Sequence, residues 1–150
     1  MAGDDGAADL RNKIGKGTTI FWKAYEFENG ERKDSRFLIL TDCQYGCFLA
    51  VRPTTKTEFY EKPTSSIVRE FIVIPKRTER AFPAKSAIDF ARIRILNWVV
   101  MEPIWGKDIK ELSPATDGLL DQIDKLVSGS KIVAKASIKW IKESPRRNTK

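Results

Sequence analysis

The stretch that decides the fold is Arg36-Phe37-Leu38-Ile39-Leu40-Thr41-Asp42-Cys43-Gln44-Tyr45-Gly46-Cys47-Phe48-Leu49-Ala50-Val51-Arg52-Pro53-Thr54-Thr55. Two short apolar runs flank a polar turn that contains Gly46. Runs rich in β-branched and aromatic residues on either side of such a turn predict a β-hairpin. Both runs are nearly continuous in apolar side chains, so we expect both faces of the hairpin to be buried in the middle of a sheet.

Polar side chains stand at one end of each arm of this hairpin. Arg36 begins the first arm, and Thr54 and Thr55 follow the second. In an antiparallel pair, the start of one strand lies beside the end of the other. We therefore expect the guanidinium and the hydroxyl groups to meet at one edge of the sheet, in a place suited to holding a phosphate group.

The bulk composition is that of an ordinary globular domain with an excess of positive charge. The chain has 150 residues, of which 41% are hydrophobic and 31% charged, with a formal net charge of +7. This length suits one domain, and the charge favours polyanionic partners such as RNA, DNA or acidic peptides. The alternative is a basic protein without such a partner. No apolar run is long enough to cross a bilayer and no signal peptide is evident, so we expect a cytoplasmic protein without membrane contact.

The usual metal ligands and general bases are scarce. There is no histidine, and the two cysteines, Cys43 and Cys47, do not have the spacing of a redox pair. Two cysteines alone cannot form a zinc site, so we predict no metal and no cofactor. The thiols are expected to be reduced and partly buried beside the turn.

The remaining elements place strands first and helices last. We predict strands over residues 18–24 and 67–75, and one or two strands, broken near Ala91, over residues 87–96. Residues 26–35 read as a loop around Asn29-Gly30 that could cover the site of Arg36, or as a solvated hairpin tip. Such segregation argues for an α+β fold with a small, strongly curved sheet or barrel.

Helices are expected near the carboxyl end. Ser113-Pro114 has the form of an N-cap and first turn, and five apolar residues then share one helical face before Gly129. Residues 131–142 fit a helix or a strand, and we favour a second helix. The predicted organisation is a disordered arm over residues 1–12, one domain over 13–142, and a basic tail over 143–150, disordered from Pro145 onwards.

Basic residues surround the predicted sheet. Phe59 and Tyr60, near Lys56, could stack on bases, although aromatic residues packed under a loop are equally expected. Candidates for contacts with a nucleic-acid backbone are Arg52, Lys56, Lys76, Arg77 and Arg80.

The order of these features resembles the MazF/PemK/Kid family of toxin endoribonucleases from bacterial toxin–antitoxin modules. That family has a Lys-Gly strand, a Gly-Glu loop, an arginine before an apolar strand, a Pro-hydroxyl-hydroxyl strand end, a Ser-aliphatic-Asp segment and a closing helix. The corresponding segments here are residues 16–22, 30–31, 36–40, 53–55, 86–89 and 119–127.

This resemblance implies an SH3-like β-barrel with one or two helices at its carboxyl end, assembled as a homodimer. It further implies cleavage of single-stranded RNA by attack of the 2′-hydroxyl on the adjacent phosphate, without a metal ion. Arg36 would stabilise the transition state and could donate a proton, Thr54 or Thr55 would hold a phosphate oxygen, and Asp89 would be a candidate general base. A small antitoxin protein would insert into the site and displace the loop over residues 26–35.

Two positions depart from the family pattern. Phe37 stands in place of the usual proline, and Ala87 stands where some members carry a second arginine. These departures leave open a non-catalytic SH3-like module that binds nucleic acid or a partner protein with the same basic face. Arg36 could likewise be an ordinary surface arginine, the two threonines could cap backbone groups, and Asp89 could be a turn residue.

Overall fold

A computed structural model of the protein describes residues 10–61 and 70–148. The strands within these residues are β1 (Thr19–Glu26), β2 (Arg32–Ile39), β3 (Cys47–Val51), β4 (Phe71–Ile74), β5 (Ser86–Asp89), β6 (Arg94–Asn97) and β7 (Ile109–Glu111). Five of them form an antiparallel sheet in the order β6-β3-β2-β1-β7, and β4 pairs with β5 in a second, two-stranded sheet.

The predicted hairpin is confirmed at the centre of the larger sheet. Strands β2 and β3 are antiparallel, with Leu38 opposite Val51. Tyr45 and Gly46 form the tight turn, both with positive φ, at 53° and 76°. Two positive φ values are what a two-residue hairpin turn requires, and glycine meets this requirement without strain.

Residues 10–13 are helical, and the further α-helices are α1 (Glu58–Glu61), α2 (Trp98–Met101), α3 (Asp117–Ser128) and α4 (Lys135–Glu143). The apolar face predicted for residues 119–127 is buried, and Gly129 caps the end of α3 as expected. Helix α4 confirms the helical alternative for residues 131–142. The start of α3 differs from the prediction, because Thr116 rather than Ser113 accepts the capping hydrogen bond, from the Leu119 N–H.

The central strands are buried on both faces, as the sequence predicted. Leu38 and Leu49 pack into a cluster that includes β4, β5, α3 and α4. Their neighbours Phe37 and Phe48 point into a second cluster, which includes Trp22 and Trp98 on the other side of the sheet. The alternation of side chains along each strand therefore supplies two hydrophobic cores from one hairpin.

The fold class is α+β. The described strands form two sheets, joined at one point where Thr54 of the chain leaving β3 bridges Ala87 of β5. The SH3-like barrel stays a prediction. The β4 strand ends before Pro75, and the break near Ala91 is a 3-10 turn over residues 90–92 between β5 and β6.

Three segments gain detail that their local patterns did not supply. Of the two alternatives for residues 26–35, the hairpin tip is confirmed: β1 extends to Glu26, β2 begins at Arg32, and residues 27–31 connect the two paired strands. Residues 98–101, an apolar run after β6, form a helix capped by the Asn97 side chain. Residues 102–112 contain β7, whose Lys110 pairs with Phe21. Short strands of this kind depend on their neighbours more than on their own sequence.

The end of the chain is bound to the domain up to Asn148, in contrast to the predicted disordered tail. The Arg146 guanidinium forms ion pairs with Asp117, Asp121 and Asp124 on α3, at 3.0, 2.6 and 3.2 Å. The Arg147 N–H donates to the Lys16 carbonyl at 2.6 Å. The structure does not describe residues 1–9, 62–69 and 149–150, so most of the predicted arm and the first residues of the predicted strand over 67–75 lie outside the described residues.

Within residues 10–61 and 70–148, no helix combines the length and apolar character that crossing a bilayer requires.

Candidate functional site

The predicted catalytic residues meet in one cleft at the open end of the central hairpin. The cleft has a volume of about 820 Å³ and is lined by Arg36, Thr54, Thr55 and Asp89, together with Arg52 and Lys56. The register that pairs Leu38 with Val51, extended by two residues along each strand, brings Arg36 beside Pro53. The convergence inferred from the antiparallel geometry of the hairpin is therefore present.

Arg36 is held in place but keeps most of its hydrogen-bonding capacity. Its Nη1 donates to the Ala81 carbonyl oxygen at 2.7 Å. A guanidinium carries five N–H donors in a planar fork, so this bond fixes the orientation of the group and leaves four donors. The residue is solvent-exposed, and it forms no ion pair with a carboxylate of the described residues. An anion in the cleft could accept two parallel hydrogen bonds from it.

Thr54 presents a hydroxyl group on a rigid backbone. Its N–H donates to the Ala87 carbonyl at 2.9 Å, and its carbonyl accepts from the Ala87 N–H at 2.8 Å. The Thr54 Oγ1 atom accepts a hydrogen bond from the Lys56 N–H at 3.2 Å, which leaves the hydroxyl hydrogen available for a ligand. Thr55 is more exposed and also lines the cleft.

Asp89 has structural partners at both of its carboxylate oxygens. Oδ1 accepts from the Ala91 N–H at 2.9 Å and caps the 3-10 turn after β5, and Oδ2 accepts from the Tyr60 hydroxyl at 2.9 Å. Arg92 Nε lies 3.7 Å from Oδ2. A carboxylate offers about four lone-pair sites, so Asp89 retains some capacity toward a ligand while serving as a turn residue.

Positive charge dominates the cleft. Six basic side chains and two acidic ones line it, and the basic set is Lys33, Arg36, Arg52, Lys56, Arg92 and Arg94. Burial lowers the pKa of Arg52, and the nearby Arg94 guanidinium lowers it further. Two like charges held together at a half-buried position favour an anionic ligand, which would relieve their repulsion.

The other predicted contacts to nucleic acid lie apart from this group. Arg77 and Arg80 line a second, shallower cleft beside Pro114 and Thr116, and Lys76 lines neither cleft. Pro83 lines both clefts, so the two are neighbours on the surface.

Among the residues of the main cleft that were not predicted from the sequence are Arg92, Arg94 and Tyr60. Arg92 and Arg94 flank Ile93 within residues 87–96, where polar and apolar side chains alternate. This alternation was the available signal for the two arginines, because it separates them from the apolar side chains. Tyr60 was considered only for base stacking or for core packing. It is buried, and its hydroxyl binds Asp89, a contact between distant parts of the chain that no local pattern indicates.

No group of three or more cysteine or acidic side chains within the described ranges is placed to hold a metal ion. The two cysteines are free thiols with intermediate exposure, as predicted. Comparison with known proteins adds no identification, because no protein-family model and no curated protein sequence matches the chain.

Proposed function

We propose that the protein is an endoribonuclease toxin of a toxin–antitoxin module, which cleaves single-stranded RNA by attack of a 2′-hydroxyl on the adjacent phosphate. The observation that carries this proposal is the convergence of Arg36 and Thr54 in a cationic cleft. The proposal includes an SH3-like barrel, a homodimer with RNA lying along the groove between its subunits, and neutralisation by a cognate antitoxin protein.

The chemistry needs donors aimed at a phosphorane, which gathers negative charge on its non-bridging oxygens. A guanidinium that is oriented by the Ala81 carbonyl and retains four N–H donors is suited to this task. The Thr54 hydroxyl would donate one more hydrogen bond to a phosphate oxygen. Asp89 would accept the proton of the attacking 2′-hydroxyl, and Arg36 would donate one of its own protons to the leaving 5′-oxygen; transfer of the Asp89 proton to Arg36 through solvent would then restore both groups.

Cleavage of a long single-stranded RNA in the presence of EDTA tests this proposal. We expect discrete cuts that leave 2′,3′-cyclic phosphate ends, and a rate reduced roughly 100- to 1,000-fold in Arg36→Ala. Arg36→Lys should give an intermediate rate, because lysine keeps the charge but loses the planar fork. Arg147→Ala is the matched control, since Arg147 lies beside Gly15 and Asp42, near the turn end of the hairpin. Equal cutting by Arg36→Ala and the control would contradict the proposal.

A second candidate is a non-catalytic module that binds single-stranded nucleic acid in the same cleft. The observation that favours it is the engagement of both Asp89 oxygens in structural hydrogen bonds, which makes this carboxylate part of a fixed binding surface. The cleavage assay distinguishes the two candidates when it is run beside a gel-shift measurement. Retarded RNA that stays intact, with retardation weakened in Arg36→Ala, would favour the binding module.

A further inference from the structure

Arg52 and Arg94 form a second cationic group in the main cleft. The Cζ atoms of their guanidinium groups lie 4.9 and 5.0 Å from the centroid of the Phe27 ring. Arg94 pairs directly with Ala50 across the β3–β6 ladder, and Arg52 lies two residues beyond Ala50. Both arginines are half-buried, and an aromatic ring beneath a guanidinium restricts its orientation while it favours the positive charge.

This pair of arginines has an aromatic contact but no carboxylate partner among residues 10–61 and 70–148. By contrast, the similarly exposed Arg146 has three carboxylate partners. Because two unneutralised guanidinium groups repel each other, a bound anion would gain interactions with both and remove that repulsion.

The pair and Arg36 lie on opposite sides of the central sheet at its open end. Arg36 donates to Ala81, which belongs to the core cluster that contains α3 and α4. Phe27 contacts Tyr25 at 5.1 Å between ring centroids, and Tyr25 packs against the other core cluster. One cleft therefore contains two cationic groups, each anchored to a different core.

We infer that Arg52 and Arg94, which both contact the Phe27 ring, form a second anion subsite, which binds a phosphate of the RNA strand other than the one held by Arg36 and Thr54. This inference rests on the proposed ligand of the cleft but not on cleavage. The RNA strand crosses the open end of the β2–β3 pair and places one phosphate on each side of the sheet. The smallest ligand that binds tightly therefore carries two phosphates.

Equilibrium binding of oligonucleotides that cannot be cleaved tests the subsite separately from catalysis. Unlabelled oligodeoxyuridylates with one to five phosphates compete with a fluorescein-labelled deoxyuridine hexamer, because a strand without 2′-hydroxyl groups cannot undergo the proposed reaction. For the wild type, we expect the second phosphate to improve affinity at least about tenfold, as charge-assisted hydrogen bonds do. Arg52→Gln/Arg94→Gln should lose that gain and still bind the ligand with one phosphate.

Two further measurements separate a binding role from a structural one. In a plot of the logarithm of the hexamer association constant against the logarithm of the salt concentration, the slope should become shallower in the double variant. The expected change is about 0.7 for each phosphate contact that is lost. Arg52→Lys/Arg94→Lys keeps both charges and should recover most of that slope, which a merely destabilised fold would not do. Arg147→Gln is the control and should match the wild type.

The possible results support or overturn the subsite without ambiguity. Binding of the hexamer with this pattern, in a protein that cuts no RNA, supports the subsite and removes only the nuclease proposal. If the double glutamine variant lost affinity equally for ligands with one and with two phosphates, the subsite would be overturned, because the two arginines would then act on the phosphate at Arg36. Failure of the wild type to bind the hexamer, or tighter binding of a glutamate-rich peptide that depends on the same arginines, would overturn the assignment to RNA.

Discussion

The buried ion pair between Lys16 and Asp124 gives the sharpest prediction about stability. Lys16 is 2% exposed, and its Nζ atom donates to Asp124 Oδ1 at 2.6 Å and to the Ile141 carbonyl at 3.0 Å. The ammonium group thus joins α3 to the last turn of α4, where backbone carbonyls lack helical partners. The two replacements should differ in cost, because Asp124 has a second partner of opposite charge, Arg146, whereas Lys16 has, among the residues that the structure describes, only a neutral carbonyl besides Asp124.

Asp124→Ala should destabilise the protein by about 3 kcal/mol. Removing one partner of a buried pair typically costs about 3–5 kcal/mol, and the lower end applies because the Asp124 side chain is 28% exposed. Lys16→Met should cost only about 1 kcal/mol, since methionine fills a similar volume and Asp124 keeps its ion pair with Arg146 at 3.2 Å. The double variant should cost less than the sum of the two, with a coupling of about 2 kcal/mol.

Urea unfolding followed by tryptophan fluorescence measures these differences, provided that the transition slopes stay equal. Asp121→Ala is the matched control, because Asp121 also pairs with Arg146 on α3 but is 70% exposed. We expect it to cost less than about 1 kcal/mol. If Asp124→Ala costs no more than Lys16→Met, the buried ammonium does not depend on the carboxylate for its stability.

Two further predictions follow from shifted pKa values. Hydrogen bonds from Asn148, and to a smaller extent from Arg146, lower the pKa of the Asp117 carboxyl group. These hydrogen bonds therefore stabilise the fold fully at pH values above the ordinary aspartate pKa near 3.9, and the stabilisation is lost as the pH falls through the lowered pKa of Asp117. The melting-temperature difference between wild type and Arg146→Ala should therefore shrink below about pH 4, and a constant difference from pH 2.5 to 7 would contradict this. Burial raises the pKa of Cys43, so alkylation of that thiol in a Cys47→Ser protein should show a midpoint above the usual value near 8.5; a midpoint at or below that value would exclude the effect.

The central hairpin could be predicted because local and tertiary requirements agree there. Its apolar runs alternate between two cores, and Gly46 accepts the positive φ of the turn. The position of Arg36 beside the end of β3 then follows from antiparallel pairing alone. This part of the site needed no information about distant segments.

The rest of the site depends on contacts between distant segments. Tyr60 reaches Asp89 from α1, and Arg94 approaches Arg52 only because β6 pairs with β3. Strand β7 has three residues and too short a pattern to identify without its partner β1. A local pattern cannot specify such placements, since they result from how whole elements pack.

The contact between the tail and α3 has a signal in the sequence. Asp117, Asp121 and Asp124 recur at the spacing of one helical face, and a basic segment follows α4. Reading these two features together would have indicated that Arg146 binds α3. Composition alone favours a disordered basic tail, which is what the sequence predicted.

The bridge between Lys16 and Arg146 has a practical consequence for handling the molecule. It brings the beginning and the end of the described chain to one pole, near Asp42, whereas the cleft opens at the other end of the hairpin. A fluorescent reporter or a surface tether attached beyond Asn148 would accordingly stand away from the mouth of the cleft. Immobilisation through that end would leave long polymers free to reach the arginines.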